Sequence, residues 1–339
     1  DRRPDTTLAQ TYEDRLKLIE GYDRAGFYGY HLAEHHATPL TMAPAPSVFL
    51  SAVAQRTKTL RFGPMVYVLP MYHPLRLAEE VCMLDQLSGG RFLYGVGKGI
   101  TPYELGYFGV AAADARDIYE EILDITLALM DPATERFSWH GRHFDFDDVP
   151  VNIHPLQTPH PPLWMGVGTP EGAATAGARG VNVLTNSPLE RAAGFMARFR
   201  EAHEARGAGN GAAAGLPKMG ICRHTVVAET DAEAERIMRE AYPFWYRHFV
   251  HLWKAHGGNP VVAAYTEDFD ETVAKDLLIF GSPDTVRAEI ERYLETSQTN
   301  YFVCRFAFGS LAYEQSRAAL EAFVQDVMPH FTPRQEAAE

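Results

Sequence analysis

The sequence predicts an α/β fold in which parallel strands alternate with helices, and three observations carry that prediction. Short apolar runs of strand length recur along the chain, separated by segments whose apolar residues return at helical spacing. The connections between them are short, as in βαβ units. The first two strand-like runs end abruptly in polar or Pro-rich stretches, at Glu34-His35-His36 and at Leu69-Pro70, and a helix-coated parallel barrel carries its chemistry at such strand ends. A closed barrel is favoured over an open doubly wound sheet.

Residues 8–25 place Leu8, Tyr12, Leu16, Ile19 and Tyr22 on one helical stripe that stops at Gly26. Tyr28–Ala33 reads as a strand, Ala45–Gln55 as a helix opened by Pro46, Leu60–Leu69 as a strand and Pro74–Leu87 as a helix stopped by Ser88-Gly89-Gly90. Arg91–Val96 is the next strand and Ala113–Met130 a long amphipathic helix. Residues 135–160 interrupt the rhythm, with alternating aromatics around Gly141 that suggest a hairpin insertion. The pattern resumes with strand Pro162–Val167, helix Pro170–Ala178, strand Val181–Leu184 and helix Leu189–Arg206, before a Gly/Ala-rich flexible linker at 207–215. Strand Lys218–Ala228 and helix Asp231–Tyr246 follow, and residues 249–280 read as an irregular insertion long enough to act as a lid. Helix 283–296 opens on Ser282-Pro283, Asn300–Phe306 is a strand and Tyr313–Met328 the last helix. The count gives seven core strands, and a closed barrel needs eight. The first strand is therefore expected before Asp1.

With 339 residues and 46% hydrophobic content, the chain has material for one large core, and residues 1–339 are read as a single domain. A net charge of −13, spread along the chain, argues against a nucleic-acid or anionic-membrane partner. Cys82, Cys222 and Cys304 lie far apart in apolar stretches and read as free thiols in a reducing compartment. With no run of membrane-span length and no signal-peptide pattern, the expected location is cytoplasmic.

Strand alternation would put His31, Ala33 and His35 on one face of the first strand, with His35 at its end. A metal site is not expected, because two facing histidines are not a tetrahedral ligand set. Gly95-Val96-Gly97-Lys98-Gly99-Ile100 follows a strand but fails the dinucleotide fingerprint at Ile100. Its small residues and Lys98 suit close approach by an anionic group. Gly166-Val167-Gly168-Thr169-Pro170-Glu171-Gly172 joins a strand to a helix start, which serves equally well as a phosphate cradle or as an ordinary Thr169 cap.

Several of these stretches agree in order and spacing with one family. Glu34-His35-His36, Leu69-Pro70-Met71-Tyr72-His73-Pro74-Leu75-Arg76, Leu84-Asp85-Gln86-Leu87-Ser88-Gly89-Gly90-Arg91-Phe92, Gly281-Ser282-Pro283-Asp284-Thr285-Val286 and Val327-Met328-Pro329-His330-Phe331 resemble the bacterial luciferase-like flavin monooxygenases over roughly residues 10 to 331. The resemblance implies a (β/α)8 TIM barrel with insertions, reduced FMN as cofactor and O2 as co-substrate. It implies a flavin hydroperoxide as oxidant, a two-component arrangement with FMNH2 supplied by a separate reductase, and a homodimer. By position, His35 matches the catalytic histidine. Met65-Val66 matches a cis peptide under the flavin, and Ile100 a residue near the ring. Lys98 stands where luciferases carry a phosphate-binding arginine, and Gly168, Thr169 and Gly172 match the phosphate loop. Lysine keeps the charge but not the bidentate fork, so loosely held FMN is expected. Tyr67, Tyr72, Tyr103 and Phe108 are candidates for lining the pocket of a small, mostly apolar organic substrate. Two alternatives accompany this reading: a deazaflavin-dependent oxidoreductase on the same fold, and a non-catalytic flavin-binding partner subunit.

Overall fold

Strands joined through helices pair in parallel within each of two compact units, Ile19–Gly166 and Asp1–Leu18 with Val167–Glu339. These units belong to a computed structural model that describes residues 1–210, 216–260 and 264–331. Helix α1 (Leu8–Arg24) contributes residues to both.

In the unit Ile19–Gly166 the chain runs β1 (Gly29–Leu32), α2 (Pro46–Arg56), β2 (Arg61–Pro64), β3 (Tyr67–Val68), α3 (Pro74–Ser88), β4 (Tyr94–Gly97), α4 (Pro102–Tyr107), α5 (Ala115–Met130), β5 (Arg136–His140), β6 (Asp145–Pro150) and β7 (Leu163–Gly166). Gly29 of β1 sits opposite Arg61 of β2, a bridge joins Phe62 to Phe92, and β4 takes β3 and β7 on its edges. Helices α2, α3 and α4 each open with a proline, whose fixed φ and missing N–H suit the first turn. Gly89 ends α3 in the left-handed region at φ 65°. Beyond it, Arg91 uses its guanidinium as a clamp: Nη1 donates to Thr57 Oγ1 (2.7 Å) and Leu60 O (2.8 Å), Nη2 to Ala54 O (2.8 Å) and Nε to Ser88 O (2.8 Å). It thereby ties the ends of α2 and α3 to the start of β2. The expected hairpin is antiparallel β5–β6, seated on Glu121 of α5, which accepts from Trp139 Nε1 (3.1 Å) and the N–H groups of His143 (3.0 Å) and Phe144 (3.1 Å).

In the other unit the order is α6 (Pro170–Arg179), β8 (Asn182–Thr185), α7 (Leu189–Asn210), β9 (Met219–Val227), α8 (Asp231–Phe249), α9 (His251–Ala255), α10 (Phe269–Ala274), β10 (Leu278–Gly281), α11 (Pro283–Ser297), β11 (Tyr301–Arg305) and α12 (Tyr313–Ala322). Strand β9 is buried along its whole length, as a strand covered on both faces must be. It pairs with β8 near its start, with β11 along Gly220–His224 and with β10 along His224–Val227.

Several expectations need correction. β1 stops at Leu32, so the alternation of faces does not extend to His35. The run expected as one strand over Leu60–Leu69 is two, interrupted at Met65-Val66. Residues 207–210 of the expected linker continue α7 in spite of Gly207 and Gly209, while 211–215 lie outside the described residues. The stretch 249–280 is not irregular where it is described. It holds α9, α10 and β10, and the Tyr242 hydroxyl bonds Thr272 Oγ1 (2.8 Å) to fix it. Aromatic-rich, non-periodic sequence hid these short elements. The last helix gives way at Phe323–Val327 to a wider turn and then a 3-10 turn at Met328–His330. All three cysteines are free thiols. No helix among the described residues is long and apolar enough to cross a membrane.

Asp23, at the end of α1, accepts the N–H groups of Lys58 (2.7 Å), Thr59 (2.9 Å) and Leu60 (2.7 Å) and the Thr59 hydroxyl (2.8 Å). Burial works to raise its pKa, but these hydrogen bonds outweigh it and hold the carboxyl down at about 2. A depressed carboxylate stabilises the fold above its unfolded pKa, and that contribution is lost as pH falls through the folded value. Allowing for solvent screening of a partly open group, it is worth about 1–2 kcal/mol. Asp23→Ala should lose about that much at pH 7 and show a flatter acid dependence between about pH 4 and 2. Denaturant midpoints across that window check it, and parallel curves for variant and wild type would refute it.

Candidate active site

The loop after β1 is organised by two buried carboxylates. Glu34, 5% exposed, turns back under the loop: Oε1 accepts from the Tyr72 hydroxyl (2.9 Å) and bonds His36 Nε2 (2.7 Å), while Oε2 accepts the Val68 N–H (2.8 Å). Glu104, projecting from α4 and 4% exposed, accepts the His36 N–H (2.6 Å) and lies 3.4 Å from His35 Nδ1. That last separation is an ion-pair distance, longer than a good hydrogen bond. His35 is thus held by the loop and Glu104, not by strand pairing, and its side chain keeps a fifth of its surface open. The His36 ring meets the edge of half-exposed Phe108 at 4.6 Å between centroids.

Burial and then the Glu34 charge push the Tyr72 pKa upward, so its hydroxyl stays a donor at neutral pH. Tyr67 is likewise raised, chiefly by burial. Its hydroxyl bonds Ser47 Oγ (2.8 Å), which donates to Glu80 Oε2 (2.7 Å). Tyr67 has no exposed surface and packs edge-on against Tyr72 at 5.3 Å. It therefore supports Tyr72 and presents no surface of its own. Tyr103 is half-buried on α4.

The Met65–Val66 peptide bond is cis, the geometry that the family resemblance implies, and the Met65 N–H reaches Leu32 O at 2.6 Å. The glycines of β4 are explained by this bend. A Cβ on Gly95 would stand 1.9 Å from Pro64 O, and one on Gly97 would stand 2.5 Å from Val66 Cγ2. The close approach expected from an anionic group at these glycines is made by the chain itself. Lys98 and Ile100 follow as exposed side chains at the end of β4.

Gly168, Thr169 and Gly172 lie in the other unit. Thr169 caps α6, its hydroxyl accepting the Gly172 N–H at 3.1 Å. A helix start leaves its first N–H groups without intrahelical acceptors, and a Cβ on Gly168 would meet nothing within 4 Å. The donor set and the open space fit a phosphate, although Glu171 adds an acid to the same first turn.

Reading the sequence passed over Glu104, His224 and Arg305. Glu104 had a signal, an acid in the first turn opened by Thr101-Pro102. The other two are ionisable residues inside apolar strand runs, where no motif marks them.

Removing the Glu34 carboxylate would strand the Tyr72 hydroxyl, the Val68 N–H and the His36 ring nitrogen. Glu34→Ala should therefore cost about 2–4 kcal/mol of unfolding free energy and Tyr72→Phe only about 1 kcal/mol. Equal losses in urea titrations would show that the carboxylate is not the shared acceptor.

Residues 1–300 match the family model of luciferase-like monooxygenases. An uncharacterised protein of Sinorhizobium fredii is 38% identical over 91% of this chain and 89% of its own length. The oxygenase component of a flavin-dependent trigonelline monooxygenase from Acinetobacter baylyi is 26% identical over 96% of this chain and 91% of its own. Among solved structures, a monooxygenase of Streptomyces bottropensis superposes with a TM-score of 0.86 at 25% identity, covering 97% of this chain and 96% of that one. The strand–helix order described above is that of the TIM-barrel-type fold these proteins share, and the chain belongs to the luciferase-like monooxygenase family of oxidoreductases.

Proposed function

We propose that this chain is the oxygenase component of a two-component system, using reduced FMN and O2 to oxygenate a small, mostly apolar organic substrate. The observation that carries the reading is the placement of His35 on a loop fixed by Glu34 and Glu104, in the unit that also holds the cis Met65–Val66 bond. Bound reduced FMN supplies the activation of oxygen. We assign Met65, Val66 and Ile100 to the flavin ring and Lys98 to its phosphate. The family's "oxygenase component" relative supports a separate reductase as the source of FMNH2, and a homodimer is part of the same proposal.

His35 has the chemistry for the proton step. An imidazole offers one N–H donor and one nitrogen acceptor, so it can pass a proton to or from a reacting group. Glu104 at 3.4 Å orients the ring and favours its Nδ1–H tautomer, which leaves Nε2 to meet the reacting group. Tyr72, kept protonated, and Phe108 border the same loop and would exclude water from it.

Photoreduced FMN mixed with oxygenated buffer provides the test. The protein should slow the return of oxidised flavin by about tenfold or more relative to free FMN, and a substrate should accelerate that return. Return at the free rate, with tight binding of a deazaflavin instead, would move the chain to the alternative oxidoreductase reading. His35→Ala should lower turnover by about 10²–10⁴-fold while FMN affinity stays within about threefold; an unchanged rate would remove His35 from the mechanism. Lys98→Met should weaken FMN by about fivefold to tenfold and leave riboflavin, which lacks the phosphate, unaffected. Equal loss for both ligands would show that Lys98 does not read the phosphate.

A further inference from the structure

We propose that Arg305, with Asn186 and His224, forms an oxyanion-receiving subsite for the carboxylate-type head of an otherwise apolar organic substrate. All three lie in the unit Asp1–Leu18 with Val167–Glu339. The proposal rests on the oxygenase reading for the identity of the ligand as substrate, but not for the chemistry of the subsite.

Arg305 is the last residue of β11, and its register partner in β9 is His224. Partners in a parallel pair leave the sheet on the same face, and Cys222, two residues before His224, shares that face. The guanidinium donates through Nη2 to Asn186 Oδ1 at 3.1 Å, at the exposed end of β8. Around it stand the Tyr265 hydroxyl and the Cys222 thiol. Burial works against its charge, and these two neighbours outweigh it. No carboxylate among the described residues pairs with it. Arg305 is partly buried, and with 44 acidic residues against 31 lysines and arginines the chain has carboxylates enough to have paired it. A guanidinium offers five N–H donors in a planar fork shaped for two anionic oxygens.

His224 supplies the group without a partner. Its side chain has no exposure, and neither ring nitrogen has a hydrogen-bond partner among the described residues. Burial first, and then the Arg305 and Arg223 charges, hold its pKa well below the ordinary value, so the ring is neutral and carries one N–H donor. Trp245, Phe308 and Tyr265 frame it with centroid distances of 4.3, 4.5 and 5.8 Å. A buried polar group without a partner is costly. A neutral buried donor without a partner, on the same face as a guanidinium that no carboxylate answers and set in an aromatic frame, matches a ligand with an anionic head and an apolar body. Arg223 belongs elsewhere: it lies on the opposite face of β9, its Nη2 donates to Ser187 O (2.7 Å), and it stacks over Tyr293 at 5.0 Å.

The test uses thermal unfolding of the intact chain with benzoate, benzyl alcohol and sulfate as probes, each against chloride at matched ionic strength. Benzoate and benzyl alcohol share an apolar body, and only benzoate carries the anion. Wild type should show a saturable rise in Tm with benzoate and none with benzyl alcohol. Arg305→Met should weaken the apparent benzoate affinity by about tenfold or more, with partial recovery in Arg305→Lys. His224→Phe should weaken it by a smaller factor. Identical benzoate responses in wild type and Arg305→Met, or no saturable response to benzoate or sulfate in wild type, would overturn the proposal. FMN titrations of the same variants separate the sources of the anion. If Arg305→Met loses FMN affinity by about tenfold but keeps its benzoate response, the guanidinium serves the cofactor phosphate and the substrate subsite is refuted. If benzoate behaves as expected in a protein that neither binds FMN nor delays its reoxidation, the subsite stands and the flavin reading fails.

Discussion

The buried carboxylate of Glu34 is the constraint on which the organisation around His35 depends. One side chain receives a donor from β3, a hydroxyl from the segment before α3 and a ring nitrogen from its own loop. A carboxylate taken out of water is tolerated only when its oxygens are satisfied. The three donors therefore have to stand where they do, and the loop carrying His35 and His36 is fixed by that requirement. Glu104 repeats the device from α4 by accepting the His36 N–H. The histidine proposed to move a proton is thus placed on a loop, but a loop whose backbone is anchored at the His36 N–H.

The β4 glycines follow from a second constraint in the same unit. The chain turns between β2 and β3 at the cis Met65–Val66 bond, bringing Pro64 O and the Val66 side chain against β4. Only residues without a Cβ fit at 95 and 97. The glycine pattern looks like a ligand cradle in the sequence, yet the structure assigns it to packing. What is left for a ligand at that strand end is the pair of exposed side chains beyond it, Lys98 and Ile100.

How much of this was legible follows from which forces are local. Strands and helices with clear periodicity, and starts and stops made by Pro46, Pro74, Gly89 and Thr169, were readable because their causes lie within a few residues. The break inside Leu60–Leu69 was not readable from propensity, since nothing in Met65 or Val66 opposes a strand; family resemblance alone marked it. The elements within 249–280 were missed because α9 and α10 are single turns held by distant partners such as Tyr242. His35, Gly168, Thr169 and Gly172 were singled out in the sequence by family resemblance, not by local physics. Glu104 acts on a loop 68 residues away, and such a pairing has no local signature.

His224 and Arg305 show the same limit from the other direction. Each sits in a run that reads as plain strand, Met219–Val227 and Tyr301–Arg305, and each is brought beside the other only by strand register. A guanidinium is ordinarily answered by carboxylates, as Glu289 and Asp276 answer the part-exposed Arg292 of α11. Arg305 has an amide, a hydroxyl and a thiol instead. The contrast between these two arginines in one unit is what the proposed role of Arg305 rests on. It is a distinction that composition cannot make and that the identity of the hydrogen-bond acceptors can.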